Sequence, residues 1–199
     1  MTIQDTLRQA TQTLRSSSPT AALDAEVLLV TALGPSWSRE RLAMYPEVNL
    51  AAAARRRFTL LLHRRLKGEP VAYLRGFVEF YGLAFKVDRR VLIPRPESER
   101  IVDAVLASTS PTQPVKMADI GTGSGCLAIT IAKQRPKAHV IATDRSVRAL
   151  VVAKTNARHH RVRVLFRHGD LLAALKNFHP DILVANLPYV SVAAYRAQR

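Results

Sequence analysis

The chain of 199 residues contains a single cysteine, Cys126, so no disulfide can form within it. A metal site built from several cysteines is excluded for the same reason, and the low cysteine content fits a reducing compartment. The sequence also lacks an apolar run long enough to cross a bilayer. Residues 1–15 mix polar and apolar side chains, without the apolar core that marks a signal peptide. We therefore expect a soluble, cytoplasmic protein with no membrane partner.

Acidic residues are scarce relative to basic ones. Lys and Arg number 30 against 15 Asp and Glu, for a formal net charge of +15. The excess begins after residue 50, where one short stretch is rich in cations: Arg55, Arg56, Arg57, Arg64, Arg65 and Lys67. A basic field of this kind favours proximity to RNA or to the ribosome. The alternative is a solvated helix face, and charge alone identifies no substrate.

Residues 1–68 are predicted to form a small helical domain. One helix is indicated by apolar residues at helical spacing: Leu23, Val27, Val30 and Leu33. Asp24 and Glu26 are assigned to its polar face, and Gly34-Pro35 ends it. A second helix is predicted from Ala51 to Leu66, ending before Gly68, with an apolar stripe of Ala54, Phe58, Leu61, Leu62 and Leu66.

Residues 69–98 are predicted to form a β-hairpin and a linker. Short strands are expected over residues 71–74 and 84–87, with Gly76 and Gly82 as turn residues. The segment Ile93-Pro94-Arg95-Pro96 follows, and its two prolines fix φ and prevent helix formation up to that point. A helix is expected from Glu97 to Leu106, with acidic residues in its first turn.

Strands and helices alternate through residues 99–199, the third predicted domain. Strands are expected at residues 115–120, 139–143, 162–166 and 181–185. Helices between them are expected over residues 127–134 and 146–156, the latter capped by Ser146. This alternation predicts an α/β fold in which helices cover a parallel sheet.

A glycine-rich motif follows the first strand of this region and runs Asp119-Ile120-Gly121-Thr122-Gly123-Ser124-Gly125. Such a turn between a strand and a helix lets the backbone approach a ligand closely. Asp144 ends the next strand, where a carboxylate can accept hydrogen bonds from both ribose hydroxyls of a nucleoside. Loop, strand and terminal Asp together predict an adenosine-containing ligand.

The spacing of the glycines discriminates between such ligands. A dinucleotide fingerprint requires a later glycine, where this chain has Cys126, Leu127 and Ala128. No phosphate-binding lysine follows as it would in a P-loop. The G-x-G-x-G pattern therefore favours S-adenosylmethionine over a nicotinamide dinucleotide, and a purely structural turn is the alternative.

A second motif, Asn186-Leu187-Pro188-Tyr189, lies at the end of the fourth strand, where open α/β sheets bind ligands. The Asn186 side-chain oxygen can accept one N–H of a planar amide or exocyclic amine, and the Leu187 carbonyl can accept the other. Pro188 drives Leu187 toward extended backbone, which aims that carbonyl, and Tyr189 offers an aromatic face for stacking. Such a site would catalyse mainly by positioning and preorganised dipoles. An ordinary loop is the alternative.

Two further residues follow the third strand. Asp170 can accept a hydrogen bond from an adenine amine, and Leu171 can pack on the adenine ring. Helix capping by Asp170 is the alternative explanation of its position. The 6 histidines show no metal-ligand spacing, so no metal site is predicted.

Together these motifs resemble the HemK-type, PrmC-like family of release-factor glutamine methyltransferases. The likeness covers nearly the whole chain and extends to four further segments: LDAEVLL at 23–29, GEPVAYL at 68–74, EFYG at 79–82 and LIPRPE at 92–97. The Ile-Pro-Arg-Pro run is the most specific of them, because generic methyltransferases lack it.

The resemblance implies a Rossmann-like class I methyltransferase sheet and a helical N-terminal domain that helps to recognise a peptide chain release factor. It implies methyl transfer from S-adenosylmethionine to side-chain N5 of the glutamine in a Gly-Gly-Gln motif. The residues it assigns to the cofactor are Gly121, Thr122, Gly123, Ser124, Gly125, Asp144, Asp170, Leu171 and Asn186. The residues it assigns to the glutamine amide are Asn186, Leu187, Pro188 and Tyr189, with Asn186, Pro188 and Tyr189 as the catalytic ones.

Two departures from the family pattern keep other interpretations open. Leu187 stands where the family usually has proline, and Asn-Leu-Pro-Tyr also resembles the motif of ribosomal RNA adenine dimethylases. Adenine N6-methylation of RNA or DNA is therefore an alternative. The chain also ends ten residues after Tyr189, where the family's sheet continues, so we expect an incomplete sheet with an exposed edge. A truncated remnant that binds without turnover is the third interpretation.

Overall fold

The computed structural model describes residues 1–187. The chain divides into two compact units, Met1–Gly76 and Phe77–Arg199. The first unit therefore continues past residue 68, where the helical domain was predicted to end. The segment 69–98, predicted to act as one hairpin and linker, is shared between the two units.

The first unit, described in full, is helical. Its five α-helices are α1 (Ile3–Leu14), α2 (Ala21–Leu33), α3 (Arg39–Met44), α4 (Ala52–Leu66) and α5 (Val71–Arg75). Helix α1 begins with a capping box, in which the Thr2 hydroxyl accepts the Asp5 N–H and the Asp5 carboxylate accepts the Thr2 N–H. Helix α2 contacts α1, α4 and α5, and the core between them is built mainly from leucine and alanine.

The strand predicted over residues 71–74 is wrong, because this segment forms helix α5. Pro70 precedes the helix with φ −59° and ψ 140°, and Gly76 closes it in the left-handed conformation at φ 81°. A proline before the first turn and a glycine after the last are helix-boundary signals. They outweigh the strand preference of Val71 and Tyr73 here, because the helix also buries Leu74 in the core of the unit.

The predicted polar face of α2 is also wrong at one position. Asp24 is only 5% exposed, whereas Leu23, assigned to the apolar face, is 42% exposed. The Asp24 carboxylate accepts hydrogen bonds from Arg65 Nε at 2.7 Å and from Ser18 Oγ at 2.8 Å. Burial works against the ionised carboxylate, but these bonds and one from Thr20 outweigh it and lower the pKa of Asp24. A buried charge is thus tolerated because it is fully partnered.

Asp24→Ala should lower the free energy of unfolding of this unit by about 3 kcal/mol, because removing one partner of a buried pair leaves the other uncompensated. Glu26→Ala is the matched control on the same helix. Its ion pair with Arg39 has side chains that are 34% and 53% exposed, so its loss should cost less than about 1 kcal/mol. Urea unfolding followed by the fluorescence of Trp37, the single tryptophan, measures both. Equal losses would contradict a special role for Asp24.

The second unit combines helices and strands. Over residues 77–187 its α-helices are α6 (Glu99–Ala107), α7 (Cys126–Gln134) and α8 (Val147–His160). Short 3-10 helices cover Pro96–Ser98 and Leu171–Leu175. The strands are β1 (Phe77–Phe80), β2 (Leu83–Lys86), β3 (Lys116–Ile120), β4 (His139–Asp144), β5 (Leu165–His168) and β6 (Ile182–Ala185). Strands β1 and β2 form an antiparallel hairpin.

The main sheet is parallel, as the alternating pattern predicts. Its strand order is β5-β4-β3-β6, and every neighbouring pair in it is parallel. The α/β fold is therefore confirmed. Among the described residues, β5 and β6 form the two edges of this sheet.

The third strand of the parallel sheet begins later than predicted. Residues 162–166 were expected to form it, but β5 covers Leu165–His168. Helix α8 continues to His160 rather than ending at residue 156, and Arg161 closes it in the left-handed conformation at φ 56°. Residues 162–164 connect the end of α8 to the sheet, so pairing with β4 starts only at Leu165.

Helix α7 is buried along nearly its whole length between α6, α8 and the sheet. Its buried residues are Leu127, Ala128, Ile129, Thr130, Ile131 and Ala132. A helix that is apolar all round belongs in the centre of a layered fold, and this one begins directly after the glycine-rich loop. In the described part of the chain, no helix is both long enough and apolar enough to cross a membrane.

Candidate active site

The carboxyl ends of three strands bring the glycine-rich loop, Asp144 and Asn186 together. In the parallel register, Ile120 at the end of β3 pairs with Thr143 of β4 on one side and with Ala185 of β6 on the other. The glycine-rich loop, Asp144 and Asn186 each follow directly from these positions. The carboxyl end of the sheet therefore carries the glycine-rich loop, Asp144 and the described part of the second motif, where open α/β sheets bind ligands.

The glycine-rich loop has no space for side chains at two of its glycines. Gly121 has φ +71°, and a Cβ there would overlap Cδ2 of Leu187. Gly125 has φ +83°, and a Cβ there would lie 2.7 Å from Ile129 Cδ1 and 3.2 Å from Ala153 Cβ. Both the left-handed backbone and the close approach require glycine. The loop is thus packed tightly against Leu187, which follows β6, on one side and against α7 and α8 on the other.

Asp144 is held by the loop and by the start of α8. One carboxylate oxygen, Oδ2, accepts the Gly123 N–H at 2.9 Å, and the other, Oδ1, accepts the Ser146 N–H at 2.8 Å. Each carboxylate oxygen can accept a second hydrogen bond. The half-buried carboxylate therefore remains able to accept a pair of hydroxyl donors while its orientation is fixed.

Asp119, at the end of β3, holds the glycine-rich loop through a hydrogen bond with Thr122. It is 2% exposed at the end region of β3, and its Oδ2 accepts the Thr122 hydroxyl at 2.6 Å. Burial raises the pKa of Asp119 to about 6, although the hydrogen bonds from Thr122 and from the Ala128 N–H favour the ionised form. The nearby negative charge of Asp144 adds a smaller increase to this pKa.

Asn186 reaches across the site to the segment before α6. Its Nδ2 donates to Ser98 Oγ at 2.7 Å. The open cavity at this point is lined by the glycine-rich loop, Asn186, Ser98 and the run from Leu92 to Arg95. The Ile-Pro-Arg-Pro segment, predicted only as a stiff connection, therefore forms one wall of the site.

Each of the two units contains a segment that matches a known family model. Residues 5–76 match the family model described as PrmC N-terminal domain, and residues 100–198 match the Methyltransferase small domain. The chain is 39% identical over 191 residues to the release factor glutamine methyltransferase of Coxiella burnetii, covering 96% of this chain and 68% of the relative. The chain belongs to the release factor glutamine methyltransferase family. The resemblance drawn from the motifs is thereby confirmed.

Other relatives of this family give the same result. The chain is 44% identical over 197 residues to the release factor glutamine methyltransferase of Moorella thermoacetica, covering 98% of this chain and 69% of the relative. It thus spans about two thirds of the length of both relatives. Among solved structures, it is similar to a ribosomal protein L11 methylase from Lactobacillus delbrueckii subsp. bulgaricus, with 29% identity, a TM-score of 0.40 and 47% of each chain covered.

Some residues that the family resemblance assigns are less tied to the site. Asp170 precedes the 3-10 helix Leu171–Leu175 and makes no side-chain capping bond, so capping does not explain it. Leu171 is exposed and has φ +42°, which is uncommon for a residue other than glycine. Their role in cofactor binding stays a prediction. Pro188 and Tyr189 lie outside the described residues.

The sequence patterns did not reveal four features of the site. Ser98 and the wall formed by Leu92 to Arg95 come from a segment that precedes the glycine-rich loop by more than 20 residues. The paired prolines and the likeness to the family singled out this segment, but neither placed it in the site. Asp119 was recognised as part of the loop motif but not as a buried carboxyl group. Cys126, at the first turn of α7, also lines the cavity, and burial raises the pKa of its thiol to about 12. A pKa raised in this direction disfavours the thiolate, which is the nucleophilic form of cysteine.

Asp119→Asn should change how stability depends on pH. Because the pKa is raised in the folded state, the folded chain binds a proton more strongly than the unfolded chain between pH 3.8 and about 6. Asp119 therefore contributes a stability that decreases as pH rises through this window, by on the order of 3 kcal/mol. In Asp119→Asn, the free energy of unfolding should no longer fall by this amount as pH rises through the window. Urea unfolding followed by circular dichroism across the window measures it, with the exposed Asp103→Asn as the control that keeps the wild-type slope. A wild-type slope in Asp119→Asn would contradict the buried-carboxyl account.

Proposed function

We propose that the chain transfers a methyl group from S-adenosylmethionine to side-chain N5 of the glutamine in the Gly-Gly-Gln motif of class-1 peptide chain release factors. The observation that carries the proposal is the placement of Asn186 beside the glycine-rich loop, with its Nδ2 occupied by Ser98. Its side-chain oxygen is then the group left to meet a substrate amide. The proposal includes a cytoplasmic location for the protein, because its substrate would be a release factor.

The residues of the site fit S-adenosylmethionine. The carboxylate of Asp144, oriented by Gly123 and Ser146, suits the two ribose hydroxyls. The glycine-rich loop offers close backbone approach, and it has no extended phosphate cradle or lysine. Asp170 and Leu171 are assigned to the adenine in this proposal. When bound, the cofactor supplies a methyl group on a positively charged sulfur.

The protein's part in the reaction is to hold a weak nucleophile in place. The nitrogen of an amide has a delocalised lone pair, so it reacts only when it is aligned with the methyl–sulfur bond. Asn186 Oδ1 and the Leu187 carbonyl accept the two N–H groups of the glutamine amide. This fixes the nitrogen, and the proton that it loses after methyl transfer passes to solvent. Positioning of this kind accounts for several kcal/mol of a barrier.

The basic stretch of the first unit supports a second part of the proposal, which is that the protein acts close to RNA or the ribosome. Arg64 donates two hydrogen bonds to Glu69, at 2.7 and 2.6 Å, and Arg65 is paired with Asp24. These cations serve the fold. Arg55, Arg56 and Arg57 of α4 are exposed instead, and they are the ones we assign to a polyanionic neighbour.

Asn186→Ala should reduce methylation of a class-1 release factor by on the order of 100-fold, because it removes a preorganised acceptor of the substrate N–H. Mass spectrometry of the release factor, after incubation with the chain and S-adenosylmethionine, should show one added methyl on the Gly-Gly-Gln glutamine. Asn49→Ala, an exposed asparagine of the first unit, is the control that keeps the activity.

The same assay with labelled cofactor decides between the alternatives. Label in RNA and none in the release factor would overturn the proposal in favour of adenine methylation, to which Leu187 and the net charge of +15 also point. Cofactor binding without transfer to either substrate would favour a remnant that binds without turnover.

Gly121→Ala should weaken S-adenosylmethionine binding about tenfold or more. The substitution combines a strained backbone with overlap on Leu187, and strain of this kind costs about 1–3 kcal/mol. Gly82→Ala is the matched control, because Gly82 has φ +70° in the β1–β2 turn with no atom within 4 Å of the added Cβ. Isothermal titration calorimetry measures both. Unchanged affinity in a folded Gly121→Ala chain would show that the loop does not form the cofactor site.

A further inference from the structure

Ser98 and Asn186 come together from distant parts of the second unit. Ser98 ends the 3-10 helix before α6, and Asn186 directly follows β6. The bond from Asn186 Nδ2 to Ser98 Oγ is 2.7 Å long, and Ser98 is only 6% exposed. Both residues line the same cavity. This is a side-chain contact inside the candidate active site, between the residue proposed to hold the substrate and one with no assigned role.

An asparagine amide has two chemically different ends. Its oxygen accepts hydrogen bonds and its NH2 group donates them, and a half turn about the last side-chain bond exchanges the two. A glutamine amide nitrogen presents N–H donors, so it is held only when Asn186 turns its oxygen toward it. We propose that Ser98 is a positioning residue that fixes this orientation by accepting the Nδ2 hydrogen bond. The inference rests on the proposed function.

The alternative is a structural role, in which the Ser98 side chain caps the N-terminus of α6. A serine at this position ordinarily accepts a hydrogen bond from the backbone two or three residues later. Here the Ser98 side chain makes no capping bond, and its backbone is already helical at φ −71° and ψ −14°. The hydroxyl therefore does not serve the helix on which it lies, and it faces Asn186 instead.

The position of the hydroxyl is set by rigid structure. The Ser98 N–H donates to the Arg95 carbonyl at 3.0 Å, and Pro94 and Pro96 restrict the preceding backbone. Helix α6, which begins after Ser98, is anchored in the core by Val102 and Val105. A partner that is itself fixed can select one orientation of a neighbouring amide, which is how supporting residues preorganise a site.

Loss of the hydroxyl has a specific consequence. Without an acceptor, Nδ2 turns part of the time toward the cavity, where its N–H groups oppose those of the substrate amide. Ser98 is only 6% exposed, so its substitution leaves the outer surface nearly unchanged and KM for the release factor should change little. The turnover number falls because the glutamine nitrogen is misaligned, and misalignment of about 1 Å can cost on the order of 100-fold.

The test uses two variants of nearly the same shape. Ser98→Thr keeps the hydroxyl and adds a methyl group, and Ser98→Val has a second methyl group where threonine has the hydroxyl. Ser108→Val, at the exposed far end of α6, is the control for the substitution itself. We expect kcat toward a class-1 release factor to fall by roughly 10- to 100-fold in Ser98→Val. We expect Ser98→Thr to retain more than about half of it, with KM and the S-adenosylmethionine Kd within about twofold of wild type in both.

A second measurement does not depend on turnover. In 15N-labelled protein, the Asn186 side-chain amide signals, assigned by their loss in Asn186→Ala, report the bond to Ser98. Their hydrogen exchange should be slow in wild type and Ser98→Thr and about tenfold faster in Ser98→Val. Ser98→Ala, which is smaller, repeats the comparison if the valine variant does not fold.

The outcomes separate this inference from the proposed function. Unchanged kcat in folded Ser98→Val, or equal losses in the Thr and Val variants, would overturn the positioning role. So would unchanged exchange of the Asn186 amide. If wild type transfers no methyl to the release factor, the proposed function fails. The exchange measurement still decides whether Ser98 orients Asn186.

Discussion

The parallel pairing of β3 with both β4 and β6 is the constraint on which the site depends. It aligns Ile120 with Thr143 and with Ala185, so that the carboxyl ends of β3, β4 and β6 lie side by side. A shift of the register of a strand by one residue would turn its side chains to the other face of the sheet. The register is maintained by burial: apolar residues of β3 and β4 pack against helix α7 on one face and against Leu175 on the other. Burying apolar surface is the dominant favourable contribution to folding.

Polar contacts then connect the glycine-rich loop to each neighbouring element. Asn156 of α8, which is buried, accepts the Lys86 N–H at 2.8 Å and donates to the Lys86 and Ser124 carbonyls at 3.0 and 2.8 Å. The Thr122 N–H donates to the Thr143 carbonyl at 2.9 Å. The loop is therefore tied to the hairpin, to β4 and to α8. A loop held in this way is already in its binding conformation, and less free energy is lost in ordering it when a ligand binds.

Charge has different functions in the two units. In the first, part of the basic stretch is used inside the fold, where Arg65 neutralises the buried Asp24. In the second, the two acidic groups near the site have different environments. Asp119 is buried and has a raised pKa, whereas Asp144 is half-buried at the carboxyl end of β4.

The sequence by itself determined the α/β alternation, the helical first unit, the family and the positions of both motifs, because each depends on local spacing or on short residue patterns. Tertiary structure decided what depends on distant partners. The helix at Val71–Arg75 has local boundary signals in Pro70 and Gly76, but it also depends on the burial of Leu74 in a core that the local pattern does not reveal. Asp24 is buried because Arg65 reaches it, and Asn186 forms its hydrogen bond with Ser98, a residue 88 positions earlier. No local propensity encodes such contacts, because they exist only once the sheet and helices have packed.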